Sequence, residues 1–325
     1  MTEDLKGNYN ISVIIPVYNE GNNLLQLNKE IIEILNKINK TWEVIYVNDC
    51  SSDDSENVLE SIAMEDVRIK VINFRKNFGQ TAAISAGINF SRGEIIIPMD
   101  ADLQNDPIDI PRLLKEMEEG YDVVSGWRKE RKDKAITRRL PSWIANKIIS
   151  FITKVKLHDY GCTLKAYKRE VIKDVKLYGE MHRFIPVYTS WMGGKITEII
   201  VNHRPRVYGK SKYNSKRIPK VLLDLITLEF LASYTSKPIY LFGSCGLLCM
   251  FSGFLFVFIL IVDKFIYNAS MIHSPLLLLS SMLIVLSFQF FLIGLLAEIM
   301  VRIYHELQNK TTYTIKNTIN INKDL

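Results

Sequence analysis

Residues 95–107, IIIPMDADLQNDP, run an apolar strand straight into two aspartates one residue apart. The isoleucines are β-branched and favour a strand, whereas Asp100 and Asp102 are poor strand residues and mark its exit. Carboxylates this close repel unless a positive charge lies between them. A hard divalent cation that takes oxygen ligands and bridges phosphates, Mg2+ or Mn2+, suits the pair. On spacing alone, a solvated Asx turn capping the helix after Pro107 accounts for the aspartates equally well.

The same grammar repeats along the chain. ISVIIPV (11–17), WEVIYVND (42–49), RIKVINF (68–74), EIIIPMD (94–100) and YDVVSG (121–126) are short β-rich runs. Helical spacing fills the intervals near Asn22 to Ile38, Asp54 to Met64, Thr81 to Phe90 and Asp109 to Glu118. Strands alternating with helices predict an α/β sandwich around a mainly parallel sheet, and such sheets bind ligands beyond the carboxyl ends of their strands. The exits read PVYNE (16–20), NDCSSDD (48–54), RKNFGQ (75–80) and then the paired aspartates. Singly each is an ordinary polar loop; together they converge on one edge of the sheet. No GxGxxG follows an early strand and no GxxxxGK[ST] occurs, which argues against a dinucleotide-binding dehydrogenase and a P-loop enzyme.

The 325 residues suffice for one large or two ordinary domains, and the 48% hydrophobic content is unevenly spread. Ile239 to Val262 and Ser274 to Ala297 are charge-free. At about 1.5 Å per residue each can cross a hydrocarbon core of about 30 Å, so both read as transmembrane helices. A buried helical hairpin of a soluble core is the alternative. Lys210, Lys212, Lys216, Arg217, Lys220 and Lys237 precede the first span and Arg302 and Lys310 follow the second, whereas the link carries Lys264 and His273. That bias predicts both chain ends on the cytoplasmic side of the plasma membrane. The polar N-terminus MTEDLKGNYN has no signal-peptide core. Cys50, Cys162, Cys245 and Cys249 form no CxxC pair and read as reduced thiols. The net charge of +6, gathered near the first span, suits anionic headgroups, and no nucleic-acid-binding signature accompanies it.

PVYNE, VNDCSSDDS, FGQTAAISAG, DADLQNDP, HDYGCTLKAYKRE and RPRVYGKSKY occur in this order. Together they resemble the ordered motifs of glycosyltransferase family 2, specifically its polyprenyl-phosphate glycosyltransferases of the dolichol-phosphate mannose synthase and undecaprenyl-phosphate sugar transferase kind. The resemblance spans nearly the whole chain. It implies a GT-A, Rossmann-like catalytic domain over residues 1–215, an interfacial amphipathic helix over 216–238, spans over 239–262 and 274–297, and a cytoplasmic tail over 298–325. Pro16, Tyr18, Glu20 and Asp49, with Gln80 and Asp100, are thereby implied at the nucleotide. Asp100 and Asp102, helped by Gln104, are implied at the metal on the diphosphate, with Asp102 and Asp159 at the reaction centre. Arg128 and Arg138 match basic positions near the donor and acceptor phosphates, and Arg206, Ser211 and Lys212 match the RxxGxSKY element at the lipid phosphate.

Where mannose synthases carry Ser-Gly-Phe, this chain has Asp-Tyr-Gly-Cys, nearer the bacterial undecaprenyl-phosphate transferases, including those handling aminoarabinose or glucose. The implied reaction moves one sugar, with inversion, from a nucleotide-diphosphate donor, uridine-linked by that nearness, to polyprenyl phosphate. Its product is a lipid-linked sugar for the cell envelope. Apolar stripes at Val221, Leu222, Leu225, Ile226 and Leu228, and at Leu140, Trp143, Ile144, Ile148, Phe151, Ile152 and Val155, suit helices lying in the membrane interface, or ordinary core packing. A processive polysaccharide synthase would carry QxxRW, absent here; a transferase to a lipid hydroxyl would need a catalytic base; nothing in scaffolding requires DxD. Spans this few can pair across subunits, so a homo-oligomer stays open.

Overall fold

The computed structural model describes residues 9–129, 150, 153, 155–173, 175, 181–205, 239–267, 274–306 and 313–321. Arg138, Arg206, Ser211 and Lys212 lie outside these residues, as do the 216–238 segment and the apolar stripe from Leu140 to Ile152.

Strands β1 (Ile11–Val17), β2 (Trp42–Asn48), β3 (Ile69–Phe74) and β4 (Ile95–Pro98) alternate with helices α1 (Gly21–Lys37), α2 (Ser55–Glu65) and α3 (Gln80–Phe90). Then come α4 (Ile110–Glu118), β5 (Val123–Trp127), β6 (Lys165–Lys168), α5 (Arg169–Ile172), α6 (Ile185–Trp191) and β7 (Ile196–Ile200). The eight-stranded sheet is ordered β7-β5-β6-β4-β1-β2-β3-β8, where β8 is Ile315–Ile319. β4, β1, β2 and β3 are parallel, β6 runs antiparallel to β4 and β5, and β8 runs antiparallel to β3.

Central strands covered on both faces need apolar side chains in both directions, which is why β1 reads ISVIIPV rather than alternating. On one face α1 buries Leu24, Leu27, Ile31 and Leu35, the three-and-four spacing of a single helical stripe. Each such burial stabilises by about 1.5–3 kcal/mol. On the other face α3 lies so close to β1 that a Cβ at Gly87 would come within 2.3 Å of Ile14 Cγ2. At the opposite end from the strand exits, Lys70 pairs with buried Glu43, which also accepts from Ser12 Oγ and the Arg92 amide. That network ties β1, β2 and β3 together away from the strand exits.

Within the 298–325 stretch expected as a tail, residues 313–321 pack into the catalytic unit. Residues 313–321 complete the sheet through β8, and Asn320, at φ 57°, donates from Nδ2 to the carbonyls of Ala63 and Ile69 at 2.7 and 2.8 Å. Residues 1–225 and 311–325 thus form one compact unit and 226–310 a second. The second holds helices α7 (Ile239–Tyr267) and α8 (Pro275–Glu306), both longer than the charge-free runs within them. By length and composition, Leu241–Ile266 and Pro275–Ala297 can cross a membrane, and their most apolar windows are 17% and 11% buried. A core hairpin of a soluble protein would be mostly covered; here Phe251, Phe258, Met282, Phe288 and Leu296 stand exposed.

Candidate active site

Ends of parallel strands leave unpaired backbone groups, and here each exit loop satisfies those of its neighbour. After β1 the chain turns at Asn19 (φ 54°), whose amide donates to Ser51 Oγ at 3.0 Å and whose Oδ1 accepts from the Ser52 amide at 2.7 Å. The Gly21 amide donates to Asp53 at 3.0 Å and the Glu20 amide to Ser55 Oγ at 3.2 Å, so the first two exits form one continuous rim. Tyr18 stands exposed on it.

Asp49, buried at the end of β2, accepts from the amides of Phe78 and Gly79 at 2.7 and 2.9 Å. Burial nevertheless raises its carboxyl above the usual range, against those two bonds. Gly79, at φ 93°, immediately precedes α3, whose first residue, Gln80, donates from Nε2 to Asp100 Oδ1 at 2.8 Å. The other oxygen of Asp100 accepts from Thr163 Oγ1 at 2.9 Å. Burial and the neighbouring Asp102 push the Asp100 carboxyl up to about 6; Thr163, Arg128 and Arg183 pull the other way without cancelling that rise.

Asp102 Oδ1 accepts from the Gln104 amide at 3.1 Å, with Leu103 between them at φ 60°. The Asx turn considered from sequence therefore exists, but Asp106 caps the following helical turn, through the Ile108 amide at 3.1 Å. The turn leaves the metal reading standing as an expectation: it carries both carboxylates at the strand exit, and the charge of Asp102 contributes to the rise of Asp100. Among the described residues no group of three or more His, Cys, Asp or Glu is assembled for a metal. The two carboxylates would suit a divalent ion, which would relieve the repulsion that, with burial, raises Asp100.

Arg128, just after β5, reaches Asp159 with two parallel bonds, Nε to Oδ2 at 2.7 Å and Nη2 to Oδ1 at 3.0 Å. The Gly161 amide adds a third at 3.1 Å. Asp159 is thus engaged on both oxygens by donors. Trp127 stacks on His158 with centroids 4.2 Å apart, and His158 is held by Glu198 of β7, which fixes the segment leading to Asp159.

The segment after β7 returns to the aspartate loop. Asn105 and His203 form a β-bridge, the Arg204 amide donates to the Gln104 carbonyl at 2.9 Å, and the Arg204 side chain grips Asp106 at 2.7 and 2.9 Å and Glu30 at 2.6 Å. Sequence reasoning assigned no role to Asn105, His203 or Arg204, nor to Thr163, Lys165, His182 and Arg183. Thr163 and Lys165 lie inside the quoted HDYGCTLKAYKRE stretch; the pocket they line with His182 and Arg183 is built from segments distant in sequence. Lys165 Nζ, buried, donates to the Tyr160 carbonyl at 3.0 Å, and burial lowers it to about 8.

The glycosyl transferase family 2 profile matches residues 12–176, which contain the strand exits, both aspartates and the Arg128–Asp159 pair. The chain belongs to glycosyl transferase family 2. Two relatives align over nearly the whole length of the chain. The dodecaprenyl-phosphate galacturonate synthase of Rhizobium johnstonii is 39% identical, over 97% of this chain and 94% of the relative. The undecaprenyl-phosphate 4-deoxy-4-formamido-L-arabinose transferase of Proteus mirabilis is 36% identical, over 96% and 95%. Among solved structures, the glucosyl-3-phosphoglycerate synthase of Mycobacterium tuberculosis, in complex with Mn2+, UDP-glucose and phosphoglyceric acid, superposes with a TM-score of 0.52. At 18% identity over 69% of this chain and 82% of that one, it establishes the shared fold.

Proposed function

We propose that this chain transfers one sugar, with inversion, from a uridine-diphosphate sugar to a polyprenyl phosphate at the cytoplasmic membrane face. The observation that carries this reading is similarity over nearly the whole length to two transferases named for polyprenyl-phosphate acceptors, in a chain whose strand exits present paired carboxylates and a half-buried arginine. The uridine assignment rests on the nearness of the motifs to the bacterial undecaprenyl-phosphate transferases.

In this reading Pro16, Tyr18, Glu20 and Asp49 line the nucleoside, Gln80 orients Asp100, and Asp100 and Asp102, with Gln104, hold Mg2+ or Mn2+. When bound, that ion neutralises charge building on the leaving diphosphate. A phosphate oxygen of the acceptor attacks the anomeric carbon from the face opposite the diphosphate; the carbon–oxygen bond to the diphosphate breaks and its electron pair leaves with the nucleotide. The attacking oxygen is already ionised near neutral pH, so no general base is required. Asp159 therefore serves as the holder of Arg128, whose remaining N–H groups would be available to donor phosphate; Arg138 and Arg206 serve the acceptor phosphate as fork donors, Lys212 as a point charge and Ser211 as a hydroxyl donor.

The orientation has topological support. Strands β1 to β7, before the apolar runs, and β8, after them, share one sheet, as an even number of crossings requires, and the Lys and Arg excess flanking the runs favours the cytoplasmic side. Purified protein in neutral detergent, given radiolabelled sugar nucleotides with and without polyprenyl phosphate, tests the proposal. Label should pass to an organic-extractable lipid phosphate only when acceptor is present; polymer formation, or transfer to a lipid lacking phosphate, would overturn it.

A further inference from the structure

The loop between β3 and α3 is held from two sides, and only one of them belongs to the strand-exit rim. On the rim side, Phe78 and Gly79 donate their amides to Asp49, Asn77 Nδ2 donates to the Asp49 carbonyl at 3.3 Å, and Cys50 Sγ lies 3.7 Å from the Arg75 carbonyl. On the far side stand residues that follow the apolar hairpin in sequence. Tyr313 stacks on Phe74 with centroids 5.2 Å apart and planes at 15°, and Phe74 meets Phe78 edge-on at 5.6 Å. Asn89 of α3 donates to Tyr313 Oη at 2.9 Å. The Arg75 amide donates to the Thr314 carbonyl at 3.0 Å, and Arg75 Nε to the Ile315 carbonyl at 3.3 Å.

Tyr313 is 7% exposed and belongs to the apolar cluster formed by Ile45, Val47, Ile72, Phe74 and the alanines of α3. Its ring is therefore ordered by packing before any ligand arrives. A five-residue loop with a left-handed glycine at its end has many alternatives to the conformation that aims two successive amides at one carboxylate. The Tyr313 stack on Phe74, relayed to Phe78, and the two bonds that Arg75 donates, one from its amide and one from its side chain, to the carbonyls of Thr314 and Ile315 remove most of them. The dependence runs through Phe74 and Arg75 to Phe78 and Gly79, and from those to Asp49.

We propose that Tyr313–Ile315 is a positioning element of the donor site, fixing the loop that holds Asp49 for the nucleoside. The inference rests on the reading of Asp49 as a nucleoside contact. The element acts at the end of the donor remote from the anomeric carbon, so its loss weakens ground state and transition state alike. That pattern raises the donor KM and leaves kcat in place.

The test uses full-length protein in neutral detergent, with UDP and GDP, each with Mn2+, as equilibrium probes, and steady-state kinetics with the preferred sugar nucleotide. Tyr313→Ala should raise the Kd of the bound nucleotide and the donor KM roughly tenfold, with kcat and the KM for polyprenyl phosphate within about twofold of the parent. Tyr313→Phe keeps the ring stack and should match the parent. Tyr313→Leu keeps apolar volume without the flat ring; it carries the test if the alanine variant fails to fold, and should raise Kd at least threefold. Equal nucleotide affinity across the folded variants, or a fall in kcat with unchanged KM, overturns the proposal. Absence of nucleotide binding in the parent would instead overturn the reading of the site itself.

Discussion

Replacing Asp159 by Asn removes one charge from an ion pair whose arginine and aspartate side chains are 11% and 5% exposed. Asparagine fills the same space, yet its amide group turns N–H toward the guanidinium N–H where a carboxylate oxygen accepted. Removing one partner of a buried pair costs about 3–5 kcal/mol because the other charge is left uncompensated. One kcal/mol moves Tm by roughly 2–4 °C in a domain of this size, so apparent Tm should fall by roughly 6–20 °C. Arg128→Gln should destabilise for the same reason. The double variant should cost less than the two singles added, with a coupling of about 0.5–3 kcal/mol. Thermal unfolding of the four proteins in one detergent closes the cycle, and kcat/KM against pH supplies a second axis. A general base at this position behaves differently: its loss would erase the acid limb of the pH profile while Tm held. An Asp159→Asn variant with parental Tm and a vanished acid limb would refute the pairing argument.

Asp102→Asn removes a like charge beside Asp100 at a strand exit, so Tm without ligand should hold while Mn2+-dependent turnover disappears; full activity in EDTA would refute a metal at this pair. In α7, a Cβ at Gly253 would meet Ile284 Cγ1 at 2.9 Å and the Ser280 carbonyl at 3.2 Å, whereas at Gly243 the nearest atom of Phe291 is 3.9 Å away. Gly253→Leu should therefore lower the yield of folded protein from membranes and Gly243→Ala should not; fluorescence-detected size exclusion compares them. Burial lowers Lys165 from 10.5 to about 8, so between those values the unfolded chain binds more protons than the native one and stability rises with pH. Lys165→Met should flatten that rise, by about 3 kcal/mol at most, in denaturant midpoints taken at pH 7.5 and 10. A cysteine at position 268 should react with an impermeant reagent from outside intact cells while one at 323 should not; labelling of both would mean that α7 and α8 do not cross.

The parallel half of the sheet was legible because its strands are covered on both faces and so carry unbroken apolar runs such as IIIP and VIYV. β6 and β7 were not: KAYK reads as polar, yet Lys165 is buried beside Tyr160, and ITEII flanks an edge. β8, IKNTI, looks like tail because its charge and amides face out from the rim of the sheet. At the site, Asp49, Asp100 and Asp102 announced themselves as carboxylates at strand exits. The pairing of Arg128 with Asp159 needed the fold, since 31 positions separate them and neither residue carries a local signal of its partner. Thr163 and Arg204 were hidden for the same reason: a side chain that orients another leaves no pattern in the chain.

β8 also sets a clock on biosynthesis. Arg75 and the Ile315 carbonyl it bonds are 240 positions apart, and between them lies the whole apolar hairpin. At about 5–20 residues per second, a ribosome takes roughly 10–50 s to traverse that distance. For all of that interval β3 is the outermost strand of a nascent sheet, with a row of unpaired N–H and C=O groups open to any extended chain nearby. The last strand arrives only after both apolar helices have been made, so the sheet is sealed by a segment whose synthesis follows theirs.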